Sequence, residues 1–137
     1  MEFMKIDDRY MMKTHEHIFF DVMKHPLTDF AAIGPKIGGG APVYNGIGHL
    51  EVSNGNYEQY FPGPTHLLQE PVFIPRKGGK EGDGWVLVLV NNLEVGYSEL
   101  HLVDTRKFQS AQAIVRLPVR LRPGLHGNWV DAEDLKS

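Results

Sequence analysis

The chain has 137 residues, of which 42% are hydrophobic, enough to bury one ordinary core. Its 14 basic and 17 acidic residues are mixed along the sequence for a net charge of −3, so no basic stripe is available to neutralise phosphates, and nucleic acid is excluded as an expected partner. Cysteine is absent, which excludes disulfides, thiolate-bound zinc and iron–sulfur clusters and leaves histidine and carboxylate to hold any metal.

The N-terminal segment 2–9 is acidic and has no apolar stretch, unlike a secretory signal. Residues 17–22, His-Ile-Phe-Phe-Asp-Val, predict a first strand. From Pro26 to Pro42 the chain is rich in proline and glycine, which predicts a long surface loop with its tip at Ile37-Gly38-Gly39-Gly40. Residues 47–52 and 57–61 flank Ser53-Asn54-Gly55-Asn56, whose Asn-Gly pair supplies the positive φ of a tight turn, so the two should pair antiparallel. The run 85–90 has no polar side chain on either face and is also too short to span a bilayer. It reads as an inner strand buried on both sides between stacked sheets. Residues 99–104 alternate, 105–109 turn, and 111–117 return, with a short helix expected after Asp131. With 15 glycines and 9 prolines bounding these runs, the fold class is all-β with antiparallel sheets. Strand pairs recur at about 40-residue intervals, the length of one propeller blade, which predicts about three blades of a single domain over 1–137. A soluble cytoplasmic protein is expected, and no segment specifies membrane association.

Among the histidines, His126 is flanked by Gly124 and Gly127, which let the backbone approach a ligand closely, although a surface turn explains a lone histidine as well. Glu70 precedes Pro71, which favours an extended backbone, and enters the apolar run Val72-Phe73-Ile74. A carboxylate there is either a solvated strand end or a buried group needing a donor, and an imidazole N–H is a suitable one. Metal-bound histidines commonly donate their second nitrogen to a carboxylate. His15 and His17 form a His-x-His pair of the kind a cupin uses, with Asp21 and His66 downstream. The rest of the cupin pattern is absent, since Asp21, Phe61-Pro62-Gly63 and Glu70 stand where a glutamate, a Pro-x-Gly turn and an asparagine are required. His25, His49 and His101 lack spaced partners and are expected on strand or loop surfaces.

The segment Gln69-Glu70-Pro71-Val72-Phe73-Ile74-Pro75-Arg76 resembles the Glu-Pro-x-Phe-x-Pro-Arg block of the carotenoid cleavage oxygenases, which include stilbene-cleaving dioxygenases. The likeness continues through Glu81-Gly82-Asp83-Gly84-Trp85 and Glu99-Leu100-His101-Leu102-Val103-Asp104. It closes on Pro123-Gly124-Leu125-His126-Gly127-Asn128-Trp129, similar to the family's Pro-x-Gly-x-His-Gly-x-Trp. At the other end, Glu2-Phe3-Met4-Lys5-Ile6-Asp7-Asp8-Arg9-Tyr10 resembles the family's Glu-Phe-Pro-Arg-x-Asp-x-Arg-Tyr, with Met4-Lys5 in place of Pro-Arg.

The resemblance implies a seven-bladed β-propeller holding Fe(II) on four histidines, with glutamates orienting three of the imidazoles. By position His126 resembles the last histidine ligand, and Glu70 and Glu2 resemble two of the orienting glutamates. It further implies a dioxygenase that uses O₂ to cleave a conjugated C=C bond of an apolar substrate, carotenoid, apocarotenoid or stilbene, into two carbonyl products. The chain then corresponds to a C-terminal fragment of the family, inactive alone and needing the N-terminal blades that carry the other three histidines. Phe61 and Phe73 suit such a substrate, and core packing explains them equally well. The alternative is a non-catalytic β-sheet remnant whose open strand edges make it a binding or assembly module. A cupin-like metal enzyme is disfavoured.

Overall fold

The computed structural model describes residues 2–39, 42–124 and 126–136. Two antiparallel sheets form, each a meander of the kind repeated in propeller blades. The first is 4-stranded, in the order β1 (Glu2–Lys5), β2 (His17–Val22), β3 (Gly46–Glu51), β4 (Tyr57–Tyr60). The expected Asn-Gly hairpin joins β3 to β4. Gly55 takes φ +71° there, and the Asn54 and Asn56 amides both donate to Glu51 Oε2, at 2.6 and 3.2 Å.

The second sheet is 5-stranded. β7 (Gly84–Asn92) lies between β8 (Tyr97–Asp104) on one side and two short strands, β5 (His66–Leu68) and β6 (Val72–Pro75), on the other, and β9 (Ala111–Arg116) closes it beyond β8. β5 and β6 are one edge interrupted. Leu68 faces Val90 and Val72 faces Leu87, so residues 69–71 stand opposite only 88–89. The surplus residue is a bulge, and Pro71, which has no N–H to give the ladder, sits in it. Glu70 is thereby turned out of the strand alternation.

The sheets pack through a shared core. Phe19, Ile47 and Tyr60 of the first meet Phe73, Val86, Val88, Val90, Val103 and Phe108 of the second, and Phe19 stacks on Phe73 with ring centroids 5.0 Å apart. Phe73 is therefore core packing. In β7 the expectation of burial on both faces is corrected, because only one face meets the first sheet. Val86, Val88 and Val90 are buried, whereas Trp85, Leu87 and Leu89 are half-exposed, Trp85 being covered by the Arg76 guanidinium at 3.9 Å from the ring centroid.

Two further expectations change. The stretch 26–42 is not a plain loop: it holds 3₁₀ turns and one short helix, α1 (Phe30–Ile33), and Ile33 is buried against Val43 and Leu93 in a second small core. Gly40 of the expected tip lies outside the described residues. The described residues also form two sheets and not about three blades. The 40-residue spacing divides the full length, but the described residues of 23–45 and 117–136 form no strand, the latter ending in a 3₁₀ turn at Asp134–Lys136.

Candidate functional site

The bulge in the β5–β6 edge aims Glu70 at the C-terminal segment, where it meets His126. Glu70 Oε2 lies 3.0 Å from His126 Nδ1 and accepts the Gly127 N–H at 3.0 Å. Its other oxygen, Oε1, is 2.9 Å from Lys5 Nζ, and Lys5 also donates to the Gly127 carbonyl at 3.3 Å. One carboxylate thus ties together β1, the β5–β6 edge and the C-terminal segment.

The electrostatics follow from that arrangement. The Glu70 side chain is only 8% exposed and burial pushes its carboxyl up, but the donors from Lys5, Gly127 and His126 outweigh burial and hold it below the usual carboxylate range. An ionised carboxylate only accepts, so the proton between it and His126 sits on Nδ1, and a neutral ring in that orientation turns its Nε2 lone pair away from Glu70. The imidazole itself is 68% exposed, oriented on one side and open on the other. Close backbone approach is used at Gly124, where a Cβ would come 2.7 Å from Gln69 Oε1. At Gly127 it would meet Val72 at an ordinary 3.5 Å.

Phe3 and Glu2 complete the surroundings. The β1–β2 register shifts between Glu2 and Lys5, and Phe3 takes φ +52°, a region β-branched and bulky residues seldom enter. That backbone sets the Phe3 ring edge-on to both His126 and Tyr44, each at 5.6 Å. Glu2 does not touch His126. Its Oε2 accepts a short hydrogen bond from the Tyr44 hydroxyl, which burial and then Glu2 push up to about 12, so the phenol stays protonated.

Beside Glu70 a cavity of about 260 Å³ opens between the sheets, walled by Leu67, Leu68, Leu93, Ile37, Tyr44 and Asp21 among others. Asp21 was considered in the sequence only as part of the weak cupin pattern. It is wholly buried, and its carboxyl is raised to about 8 by burial and by the charges of Glu70 and Glu2. The signal for it was a lone carboxylate in an otherwise apolar strand. Lys5 was missed as well, although it stands where the resembling family carries an arginine.

The remaining histidines form separate structures. His49, expected on the surface, is buried under Phe19 and Phe108, and its Nε2 lies 3.0 Å from His17 Nδ1. His101, also expected on the surface, is buried between the Tyr60 hydroxyl at 2.6 Å and Glu99 Oε2 at 2.9 Å. Alternation along β3 and β8 marks a face but not that another sheet covers it, which is why both were misplaced. His25 packs against Phe30. Among the described residues no group of three or more His, Asp or Glu side chains could hold a metal, so the His15, His17, Asp21 and His66 set does not assemble.

The chain matches the family described as retinal pigment epithelial membrane protein over residues 1–131. It is similar to resveratrol cleavage oxygenase 1 of Aspergillus fumigatus, with 56% identity over 99% of this chain and 28% of the relative. Carotenoid cleavage oxygenase 1 of Neurospora crassa is 49% identical over 98% of this chain and 26% of its own length. The crystal structure of Pseudomonas brassicacearum lignostilbene dioxygenase superposes with a TM-score of 0.85 at 34% identity, covering 94% of this chain and 27% of that one. The chain therefore spans little more than a quarter of the relatives it matches. The Synechocystis apocarotenoid oxygenase, at 23% identity and a TM-score of 0.80, shares the fold. Matched along nearly its whole length and more than half identical to a cleavage oxygenase, the chain belongs to the carotenoid cleavage oxygenase family, and its two sheets are part of a β-propeller.

Proposed function

We propose that this chain supplies part of an Fe(II)-dependent dioxygenase that cleaves a conjugated C=C bond into two carbonyl products, with His126 as one iron ligand and Glu70 as the residue that orients it. The observation that carries the reading is the Glu70–His126 pair at 3.0 Å, which holds Nδ1 and frees Nε2 for a metal. The donor set fits one quarter of a four-imidazole site, so the other imidazoles are assigned to residues outside these 137. Bound by His126 and further imidazoles, ferrous iron would supply the O₂-activating chemistry that the cleavage requires.

The chain's own residues have distinct tasks in this reading. Glu70 fixes the tautomer and angle of His126. Lys5 keeps Glu70 ionised, and Phe3 presses its ring edge against the imidazole. Glu2, which contacts no described histidine, would orient an imidazole supplied from outside the chain, with Tyr44 holding its carboxylate in place. The apolar cavity walls exclude water and receive a hydrocarbon substrate. Resveratrol and lignostilbene in the names of similar proteins favour a stilbene over a carotenoid.

The test is iron content and cleavage in the intact protein. The wild type should carry stoichiometric iron and convert resveratrol with O₂ to two aldehydes, and His126→Ala should lose both. Equal iron in His126→Ala would overturn the reading. A second reading, a non-catalytic assembly module, is favoured by β9: among the described residues it pairs on one side only, and Ile114 and Val115 are each 55% exposed. An intact protein that binds no iron yet captures a partner through that edge would support it.

A further inference from the structure

The sequence contains two Asn-Gly pairs, Asn45-Gly46 and Asn54-Gly55, and the fold treats them oppositely. Asparagine is chemically labile, most of all before glycine, whose nitrogen has no Cβ beside it to hinder attack on the asparagine side chain. The attack forms a bond from the glycine nitrogen to asparagine Cγ and breaks the Cγ–Nδ2 bond. The side-chain nitrogen leaves as ammonia, taking the glycine amide proton. The cyclic imide that remains takes up one water: opening at Cγ gives aspartate, and opening at the main-chain carbonyl gives isoaspartate, which lengthens the backbone by one CH₂. Water is the only co-reactant.

Asn45 is held out of this course. It is 0% exposed, its Oδ1 accepts the Lys24 N–H at 2.7 Å, and its Nδ2 donates to the Lys24 carbonyl and to Thr28 Oγ1, each at 2.9 Å. Gly46 is equally confined, since a Cβ there would come 2.7 Å from Gln59 Nε2 and 3.0 Å from the Tyr60 carbonyl. Turning the Asn45 side chain onto the Gly46 nitrogen would break all three bonds inside the core.

Asn54 stands in the open. It is exposed at the β3–β4 turn, and Gly55, at φ +71°, has no atom within 4 Å of its Cβ position. Glu51 restrains both reacting groups. Its Oε2 accepts from Asn54 Nδ2, the leaving nitrogen, at 2.6 Å, and its carbonyl accepts from the Gly55 N–H, the attacking nitrogen, at 2.9 Å. The third restraint is the Asn56 N–H, which donates to Asn54 Oδ1 at 2.8 Å. Asn54 and then Asn56 hold the Glu51 carboxyl below the usual range, so it is a carboxylate at neutral pH. Its charge opposes removal of the Gly55 proton, which would place a negative nitrogen nearby. All of these bonds lie at a hairpin tip, where local opening is least costly.

We propose that Asn54 is a modification site, converted without an enzyme to aspartate and isoaspartate while Asn45 is spared, and that Glu51 sets its rate. The product changes the hairpin. Where Asn54 donated to Glu51, one carboxylate then faces another, and isoaspartate lengthens a turn that the bonds of Glu51 to Gly55 and Asn56 close. The modification therefore loosens the β3–β4 end of the first sheet. It involves neither Glu70 nor His126, so it goes beyond the oxygenase reading and stands independently of it.

Mass-spectrometric peptide mapping of the intact protein, incubated in mildly alkaline buffer, tests this directly. The folded wild type should convert at Asn54 and not at Asn45, whereas in urea both should convert at similar rates. Glu51→Ala should speed conversion of Asn54 about tenfold, because the charge-assisted bond to the leaving nitrogen is lost. Glu51→Gln keeps an acceptor without the charge and should fall between. Converted protein, separated by its added negative charge, should exchange the Gly55 amide hydrogen faster than unconverted protein. Equal conversion of the two asparagines in the folded protein, or none at Asn54 over a period in which urea-unfolded protein converts both, overturns the proposal. So does an unchanged rate in Glu51→Ala. Where Glu51→Ala does not fold, the comparison of Asn54 with Asn45 in the folded wild type, together with the rate in Glu51→Gln, decides the matter.

Discussion

Glu70 and His126, 56 residues apart in the chain, meet at 3.0 Å because a bulge with a proline at its end turns the glutamate out of its strand. A carboxylate in regular alternation would lie over one sheet face and not reach the C-terminal segment. Replacing Glu70 by Ala removes the acceptor that fixes the imidazole tautomer, and losses of this kind weaken metal binding about 10–100-fold. Glu70→Gln, which still accepts from Gly127 but carries no charge, should fall between. Competitive iron titration of the intact protein measures both, and affinity unchanged in Glu70→Ala would show that His126 is not oriented for a metal.

What could be read beforehand divides along a physical line. The Glu70–His126 pair was legible because each residue stands beside proline or glycine, in a segment whose pattern is local. The hairpin at Gly55 was legible for the same reason. Lys5 and Asp21 were not, since their roles depend on which residues face across β1 and β2, and the register there is irregular: Glu2 opposes Asp21, but Lys5 opposes Phe19. His49 and His101 were misread because period-two alternation does not say which face a second sheet will cover. The blade count ran high because the described residues of 23–45 and 117–136 form no strand.

Lys5 holds the buried Glu70 carboxylate at 2.9 Å, with the two side chains 27% and 8% exposed. Lys5→Met keeps the aliphatic stem and removes the charge, so burial of Glu70 is opposed by fewer donors. Removing one partner of a largely buried pair should cost about 1–3 kcal/mol, more than an exposed ion pair is worth. Urea unfolding of the intact protein reads this, and a loss below about 0.5 kcal/mol would place the pair in the solvent-screened class.

His101 bridges Tyr60 and Glu99 within the core, Nδ1 meeting the Tyr60 hydroxyl and Nε2 the Glu99 carboxyl. His101→Phe preserves the volume of the ring but strands a buried hydroxyl and a buried carboxyl. A cost of about 3–5 kcal/mol is expected, as when one member of a buried polar pair is deleted. Tyr60→Phe removes only the hydroxyl and should cost about 1 kcal/mol. Comparing the two single variants with the double variant by denaturant unfolding measures the coupling, and strictly additive losses would show that the network is not acting as a unit.

His49 ties stability to acidity. Burial, and then the neighbouring His17, lower it from 6.5 to about 4, while Glu51 pulls the other way. Glu58 approaches to 3.8 Å and would favour the charged ring, but its side chain is 44% exposed and solvent screens it, so desolvation prevails. Phe19 and Phe108 cover the remaining ring surface without charge. Between about 4 and 6.5 the unfolded chain therefore binds a proton at His49 that the folded chain refuses. Stability must rise with pH across that window and be lost as pH falls through it, by roughly 3 kcal/mol in full. His49→Phe removes the proton site, so the difference in unfolding free energy between wild type and variant should slope across this range and be flat at neutral pH. A difference independent of pH would mean that the folded protein protonates His49 as readily as the unfolded chain does.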